Sequence, residues 1–170
     1  MDEQSQTPEP VPQILDSAYL EGPFAECVSC GSDLADPDVI YQIHKTWKSG
    51  EVVFEFALCA NCAMDTMQDF SEESMERMEA YYGDHFRPRQ GLSTCDFCGK
   101  EKAPDSEFTL GAGCRGGYLL RPVIVICGEC TAASQDNLSR KTRDAWGEFI
   151  DRTIPGVPHA LEPENVPFTF

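Results

Sequence analysis

Eight of the nine cysteines form Cys-x-x-Cys pairs, and the pairs occur in the same arrangement twice. Residues 31–58 separate the first two pairs and residues 99–126 separate the last two, so both gaps are 28 residues long. Every cysteine of the first set recurs 68 positions later. The sequence therefore predicts a duplicated unit in which two distant pairs meet in one group of four thiols. The two groups are Cys27, Cys30, Cys59 and Cys62, and Cys95, Cys98, Cys127 and Cys130.

Four cysteines are a common ligand set for structural zinc. Zn²⁺ binds four thiolates in a tetrahedron, and a site with four protein ligands has no open position for water or substrate. We therefore predict two Zn²⁺ per chain, both structural. An iron–sulfur cluster is the main alternative metal centre, and disulfides are the alternative without metal.

The amino-terminal residues favour metal binding over disulfides. They read Met-Asp-Glu-Gln-Ser-Gln-Thr-Pro, which is acidic and polar and lacks the basic and apolar regions of a secretory signal. We therefore expect a cytoplasmic protein, because thiols stay reduced in that compartment. No apolar stretch approaches the length of about 18 residues that a membrane span needs, so no membrane association is expected.

Each repeat combines a cysteine turn, a hairpin and a helix. In the first repeat, residues 39–47 and 51–58 are rich in β-formers and flank a Lys48-Ser-Gly50 turn. Gly31 and Gly99 follow the second cysteine of their pair, where a tight turn needs positive φ. The later pair of each repeat opens a helix, whose free N–H groups stabilise thiolates. This order predicts an α+β fold of two tandem treble-clef zinc modules, flanked by irregular termini.

The second repeat also resembles a known family. Its segments Cys95-Asp-Phe-Cys-Gly-Lys100, Phe108-Thr-Leu-Gly-Ala-Gly113 and Ile126-Cys-Gly-Glu-Cys130 are similar to the N-terminal zinc-binding domain of the ClpX-type AAA+ unfoldase. The resemblance covers roughly residues 94–140. It implies a treble clef that dimerises and binds substrates and adaptor proteins without enzymatic activity, with the four cysteines of the second repeat as zinc ligands. The chain has no GxxxxGK[ST] motif, so an ATPase module is not expected.

The sequence divides into four segments. Residues 1–13 are acidic and proline-rich and are predicted to be a disordered arm. Residues 14–90 form the first zinc module and residues 91–153 the second. Residues 154–170 form a proline-rich apolar tail, which we expect to dock on this chain or on a partner.

Helical periodicity follows the last cysteine pair of each repeat. In the first repeat, methionines recur at helical spacing among acidic residues. Ser71 and Ser139 occupy equivalent positions and are candidate caps of a second helical segment. The ninth cysteine, Cys114, has no counterpart in the first repeat and lies in a glycine-rich stretch, residues 110–117, that we expect to be a flexible loop.

Charge limits the classes of partner. The formal net charge is −16. Residues 1–90 have 18 acidic and 5 basic residues, and residues 91–170 have 11 and 8. Because nucleic-acid affinity comes largely from basic residues that neutralise phosphates, nucleic acid is not the expected partner. The residues that a nucleic-acid site would use are Lys100, Lys102, Arg115, Arg121, Arg140, Lys141 and Arg143.

Catalytic motifs are missing from the sequence. His44, His85 and His159 stand far apart, without the spacing of a His-based metal site, and we expect them to be surface or packing residues. The acidic positions between Asp65 and Glu79 fit a solvated helix face. We therefore do not expect an enzyme.

A protein partner is the remaining expectation. Methionines suit ordinary cores and also adaptable binding grooves. For the methionine stripe of Met64, Met67, Met75 and Met78, an ordinary core is the first expectation and a binding face is the alternative. Aromatic residues of the helices and the tail would anchor a partner or a homodimer. The candidate partner-binding residues are Met64, Met67, Met75, Met78, Tyr81, Trp146, Phe149, Phe168 and Phe170.

The sequence thus favours a non-enzymatic, zinc-stabilised protein–protein interaction module, an adaptor or regulator whose partner it does not identify. A zinc protein that binds nucleic acid through the basic residues of its second module is the alternative. A weaker alternative is an acidic inhibitor or antitoxin-like protein, since an acidic surface can block a basic site.

Overall fold

The computed structural model of the chain describes residues 7–89 and 91–154. Within these ranges the elements have the same order in both repeats, and each repeat has a hairpin followed by two helices. The first repeat contains β1 (Ile40–Lys48), β2 (Glu51–Cys59), α1 (Ala60–Met67) and α2 (Glu72–His85). The second contains β3 (Phe108–Arg115), β4 (Tyr118–Leu119), β5 (Ile124–Cys127), α3 (Gly128–Gln135) and α4 (Arg140–Thr153). The result is a mixed fold of helices and an antiparallel sheet.

The strands of both repeats form one sheet. Its order is β2-β1-β3-β4, and β5 also pairs with β3. At its centre β1 and β3 run antiparallel, and their pairing extends from Ile40 opposite Arg115 to Trp47 opposite Phe108. The hydroxyls of Thr46 and Thr109 are 2.8 Å apart across this pairing. The two hairpins therefore do not stand apart but meet strand to strand.

The hairpin of the first repeat agrees with the sequence prediction, and that of the second differs at one point. The predicted flexible loop over residues 110–117 is wrong, because β3 continues to Arg115. Cys114 is fully buried in that strand, opposite Tyr41 of β1. The difference arises because β3 pairs with β1 on one side and with β4 and β5 on the other. These backbone hydrogen bonds order even a glycine-rich segment.

Each predicted helical stretch divides into two helices at the serine. Ser71 caps α2 by accepting a hydrogen bond from the Ser74 N–H, and Ser139 caps α4 by accepting one from the Thr142 N–H. The break in the first repeat divides the methionine stripe between two helices. The break at Ser71 places Met64 and Met67 on α1 and leaves the other two methionines on α2.

One hydrophobic core joins the repeats. Trp146 of α4 is fully buried, and its ring lies 6.2 Å from Phe56 of β2 and 6.5 Å from Phe70, the residue before the α2 cap. Phe149 stacks on Trp146 at 5.4 Å. Because the largest aromatic residue of the second repeat packs against the first, the two repeats stabilise each other.

The segment before the first cysteine covers the opposite face of the sheet. Leu15 is fully buried there. The Lys45 ammonium donates to the backbone carbonyls of Ile14 and Asp16, and lies 3.7 Å from the Glu55 carboxylate. That carboxylate accepts the hydroxyl of Ser17 at 2.8 Å. The largely buried Lys45–Glu55 ion pair thus holds this segment on the first hairpin through hydrogen bonds.

Residues 9–11 fall in the segment that the sequence predicts to be disordered. Here the Val11 N–H donates to the Gly117 carbonyl at 3.0 Å, and the Leu119 N–H donates to the Glu9 carbonyl at 2.7 Å. These bonds add a short extended segment beside β4, at one edge of the sheet.

Candidate metal centres

The eight paired cysteines gather into two groups of four. Within each group the four sulfurs all lie within 4.8 Å of one another. The Sγ atoms of Cys30 and Cys59 are 3.7 Å apart, and those of Cys98 and Cys127 are 3.8 Å apart. A disulfide needs about 2.0 Å between its sulfurs, so these thiols are free. Each group is positioned to hold one metal ion.

Each group is assembled from a tight turn and a helix start. The Gly31 N–H donates to the Cys27 carbonyl and the Gly99 N–H to the Cys95 carbonyl, both at 2.9 Å. The two glycines have φ of 74° and 77°, as their position after the cysteine pair predicts. Glycine reaches this backbone conformation without the steric cost that other residues carry.

The second pair of each group stands where a helix begins. Cys59 is the N-cap of α1, and Cys127 is the N-cap of α3. Their own N–H groups point at the first cysteine of the group: that of Cys59 lies 3.3 Å from Cys27 Sγ, and that of Cys127 lies 3.4 Å from Cys95 Sγ. Such donors stabilise thiolate charge, so the fold prepares both groups for a cation.

The thiols of a group differ in proton affinity. The Ser32 hydroxyl and backbone lower the pKa of Cys30 to about 6. Burial raises the pKa of Cys62 and Cys130 far above the usual range, and neighbouring cysteines raise it further. Burial also opposes ionisation of Cys95, but the N–H groups around it outweigh burial and lower its pKa. Four crowded sulfurs can all be deprotonated when a cation neutralises them.

An additional clamp supports the second group. The buried Asp96 carboxylate accepts the N–H of Val125 at 2.8 Å and the N–H of Arg89 at 2.9 Å. The Arg89 guanidinium in turn donates to the Cys95 carbonyl at 2.6 Å. Val28 occupies the equivalent of Asp96 in the first repeat, so this clamp is specific to the second. This clamp was not predicted from the sequence, although the charged Asp96 between Cys95 and Cys98 was an indication of it.

The spacing of the sulfurs is compatible with a metal ion at the centre of each group. Four sulfurs at about 2.3 Å from a central Zn²⁺ would be about 3.8 Å from one another. One sulfur pair in each group has such a separation, 3.7 Å in the first and 3.8 Å in the second, and all four sulfurs of a group lie within 4.8 Å of one another. Cys27 and Cys95 are buried, whereas Cys30 and Cys98 are exposed. Each group therefore lies at the surface with one side anchored in the core.

The candidate partner-binding residues separate by burial. Met78, Trp146 and Phe149 are buried and pack within this chain, so a partner has no access to them in this fold. Met67, Met75 and Tyr81 are half-buried. Met64 is 60% exposed. Phe168 and Phe170 lie outside the described residues.

Two histidines and several cations can also be placed. His44 is buried and stacks on Phe56, and His85 is exposed and stacks on Tyr81; His159 lies outside the described residues. Several basic residues of the second repeat stand beside carboxylates: Lys100 by Glu129, Arg140 by Asp144 and Arg143 by Asp136. Pairing with acids reduces the positive field that a nucleic-acid site needs.

An apolar groove opens between α1 and the sheet. It has a volume of about 320 Å³. Ile40, Met64 and Leu120, all large apolar residues, are 39%, 60% and 52% exposed. We call this feature the Met64 groove; the residues that matter in its lining are Ile40, Gln42, Met64, Met67, Leu120 and Arg121.

Comparison with known protein families, with curated proteins and with solved structures found no match to the chain. Among the described residues, no helix has the length and apolar character needed to cross a membrane.

Proposed function

We propose that the chain is a non-enzymatic protein-interaction module stabilised by two Zn²⁺ ions. The observation that carries the proposal is the Met64 groove, which has the exposed side chains of Ile40, Met64 and Leu120 at its rim. Large apolar side chains clustered at the surface are typical of protein interaction sites. Methionine is well suited to such a surface, because its flexible side chain adapts to different partners.

Zinc is the metal that best suits the two groups of cysteines. Four protein thiolates would fill the tetrahedral shell of Zn²⁺, and such closed sites stabilise a fold rather than catalyse a reaction. We also propose that each repeat is a treble-clef module. Its support is the order in each repeat: a glycine-containing turn after the first cysteine pair, a hairpin, and a helix that begins at the second pair.

The resemblance of residues 94–140 to the zinc-binding domain of ClpX-type unfoldases also supports a protein-interaction module. That domain binds substrates and adaptors as a dimer. In this chain the two repeats pair through β1 and β3, so one polypeptide combines two cysteine groups in a single body. We propose that it serves as an adaptor or regulator.

Capture from a lysate of the source organism tests the proposal. The tagged chain is compared with a Met64→Asp, Leu120→Asp variant, in which two exposed apolar side chains of the groove become charged. The expected result is a partner that the wild type retains after nuclease treatment and the variant loses. Equal metal content of the two proteins shows that the variant is folded. Capture that disappears with nuclease would instead favour a nucleic-acid-binding protein, and capture unaffected by the two substitutions would contradict a role for the groove.

A further inference from the structure

The lining of the Met64 groove contains two donor side chains that have no hydrogen-bond or ion-pair partner within the described ranges. Among the described residues of its lining, Arg121 alone is charged; its side chain is exposed, and none of the ion pairs found between described residues includes it. Gln42 also lines the groove, and its side-chain Nε2 is buried behind the groove surface without a hydrogen-bond acceptor among the described residues. Both groups are donors, so the groove offers hydrogen-bond donors without matching acceptors.

The backbone holds Arg121 beside the groove. A Cβ atom at Gly113 would lie 3.2 Å from the Arg121 Nε. The glycine therefore leaves room for the guanidinium to lie against β3, next to Gln42, which pairs with Gly113 across the two central strands. A ligand that enters the apolar groove therefore comes close to the Arg121 guanidinium.

A buried donor without an acceptor carries a desolvation cost. A ligand oxygen that meets the Gln42 amide, once that side chain turns toward the groove, removes this cost. A carboxylate also suits Arg121, because guanidinium and carboxylate form strong paired hydrogen bonds. The apolar walls require apolar side chains on the same ligand. The chemistry of the groove thus calls for apolar residues next to a carboxylate.

We propose that the Met64 groove binds a partner protein through an apolar segment that contains an aspartate or glutamate. The apolar side chains of that segment occupy the space between Met64 and Ile40. Its carboxylate pairs with Arg121, and a backbone or carboxylate oxygen accepts from Gln42. This inference rests on the proposed function, since it names the chemistry of the partner that the module binds.

The overall charge of −16 does not prevent such binding. At physiological ionic strength charges are screened over about 8 Å, so distant carboxylates of the chain contribute little at the groove. The lining itself contains no acidic residue within the part of the chain that the structure describes. The local charge at the point of contact is therefore positive although the protein is acidic.

A random dodecapeptide library displayed on phage is the probe, selected on the zinc-loaded full chain. The expected peptides carry Asp or Glu beside Leu, Ile, Phe or Val, and they bind the Arg121→Glu variant at least about tenfold more weakly, the loss expected for a desolvated charge pair. The same peptides with Lys in place of the acidic residue should prefer Arg121→Glu to the wild type. Lys141→Glu is the matched control, because it makes the same charge change on the exposed surface of α4 outside the groove and should leave binding unchanged.

Selected peptides without acidic residues, or equal binding to wild type and Arg121→Glu, would overturn the proposal. So would self-association of the chain that Met64→Asp abolishes, because the groove would then be an interface between two copies. Failure here is distinguishable from failure of the proposed function. Lysate capture that is lost with Met64→Asp and Leu120→Asp but kept with Arg121→Glu would leave the interaction module standing and reject the acidic partner.

Discussion

The hydroxyls of Ser71 and Ser139 are 2.8 Å apart, although the two residues belong to different repeats. Each serine caps its own helix, and each backbone N–H donates to a hydroxyl of the other repeat: Ser71 to Thr142 at 2.9 Å and Ser139 to Ser74 at 2.7 Å. Four hydroxyls at equivalent positions thus close one network between α2 and α4. The two N-cap serines therefore start their own helices and also link the two repeats.

Ser139→Ala is expected to destabilise the whole chain. It removes the cap of α4 and the partner of Ser71 together, so the expected loss is about 1–2 kcal/mol. The free energy of unfolding is measured by denaturant titration. Ser71→Ala and the double variant complete a cycle, and the effects should not be additive, because both serines belong to one network. Ser93→Ala on the exposed surface is the control; additive effects of the two cap variants would contradict a shared network.

Cys98→Ser is expected to unfold both repeats together. The substitution removes one ligand of the second metal group, and incomplete coordination loses much of the about 10–16 kcal/mol that structural zinc can supply. Because β1 pairs with β3 and Trp146 packs on Phe56, the first repeat should lose its protection as well. Hydrogen exchange of peptides from β2 measures this. Cys114→Ala should keep both metals; a first repeat that stays protected in Cys98→Ser would show independent folding.

Stability should fall at alkaline pH partly through Cys114. Burial raises the pKa of this thiol to about 11 and raises that of Tyr41 as well. Both groups remain protonated in the folded chain at a pH where they ionise in the unfolded chain. The contribution of Cys114 is therefore complete below pH of about 8.5, the ordinary value for cysteine, and is lost as pH rises to about 11. The contribution of Tyr41 begins to be lost only above about pH 10, the ordinary value for tyrosine. Unfolding free energy measured from pH 8 to 11 should decline less steeply in Cys114→Ala. Parallel pH profiles would exclude Cys114 as the cause.

Binding to duplex DNA is expected to be negligible at physiological salt. The net charge of −16 repels phosphate, and Arg140 and Arg143 stand beside carboxylates. A gel-shift series across salt concentrations measures the affinity. Tight binding that falls steeply with salt, and that is lost when Arg140 and Lys141 are changed to Glu, would favour the nucleic-acid alternative.

Local signals in the sequence predicted much of this structure. The spacing of the cysteines predicted both groups of four, Gly31 and Gly99 predicted their turns, and Ser71 and Ser139 marked the helix breaks. Each of these features depends on a few neighbouring residues, which is why it could be identified without a structure.

The contacts between repeats could not be predicted in the same way. The pairing of β1 with β3 joins strands that are distant in sequence. No local sequence pattern indicates that these two strands pair with each other rather than remain at the edges of two separate sheets. The burial of Cys114 follows from that pairing. The Met64 groove could not be predicted for the same reason, because Leu120 and Arg121 lie near α1 only when the two repeats share one sheet.

Native mass spectrometry with elemental analysis, on protein purified without added metal, tests the central claim most directly. We expect two Zn²⁺ per chain, one for each group of four cysteines, and fewer in Cys30→Ser and in Cys98→Ser. One zinc or none in the wild type, iron in place of zinc, or a mass that shows disulfides between the paired cysteines would contradict it.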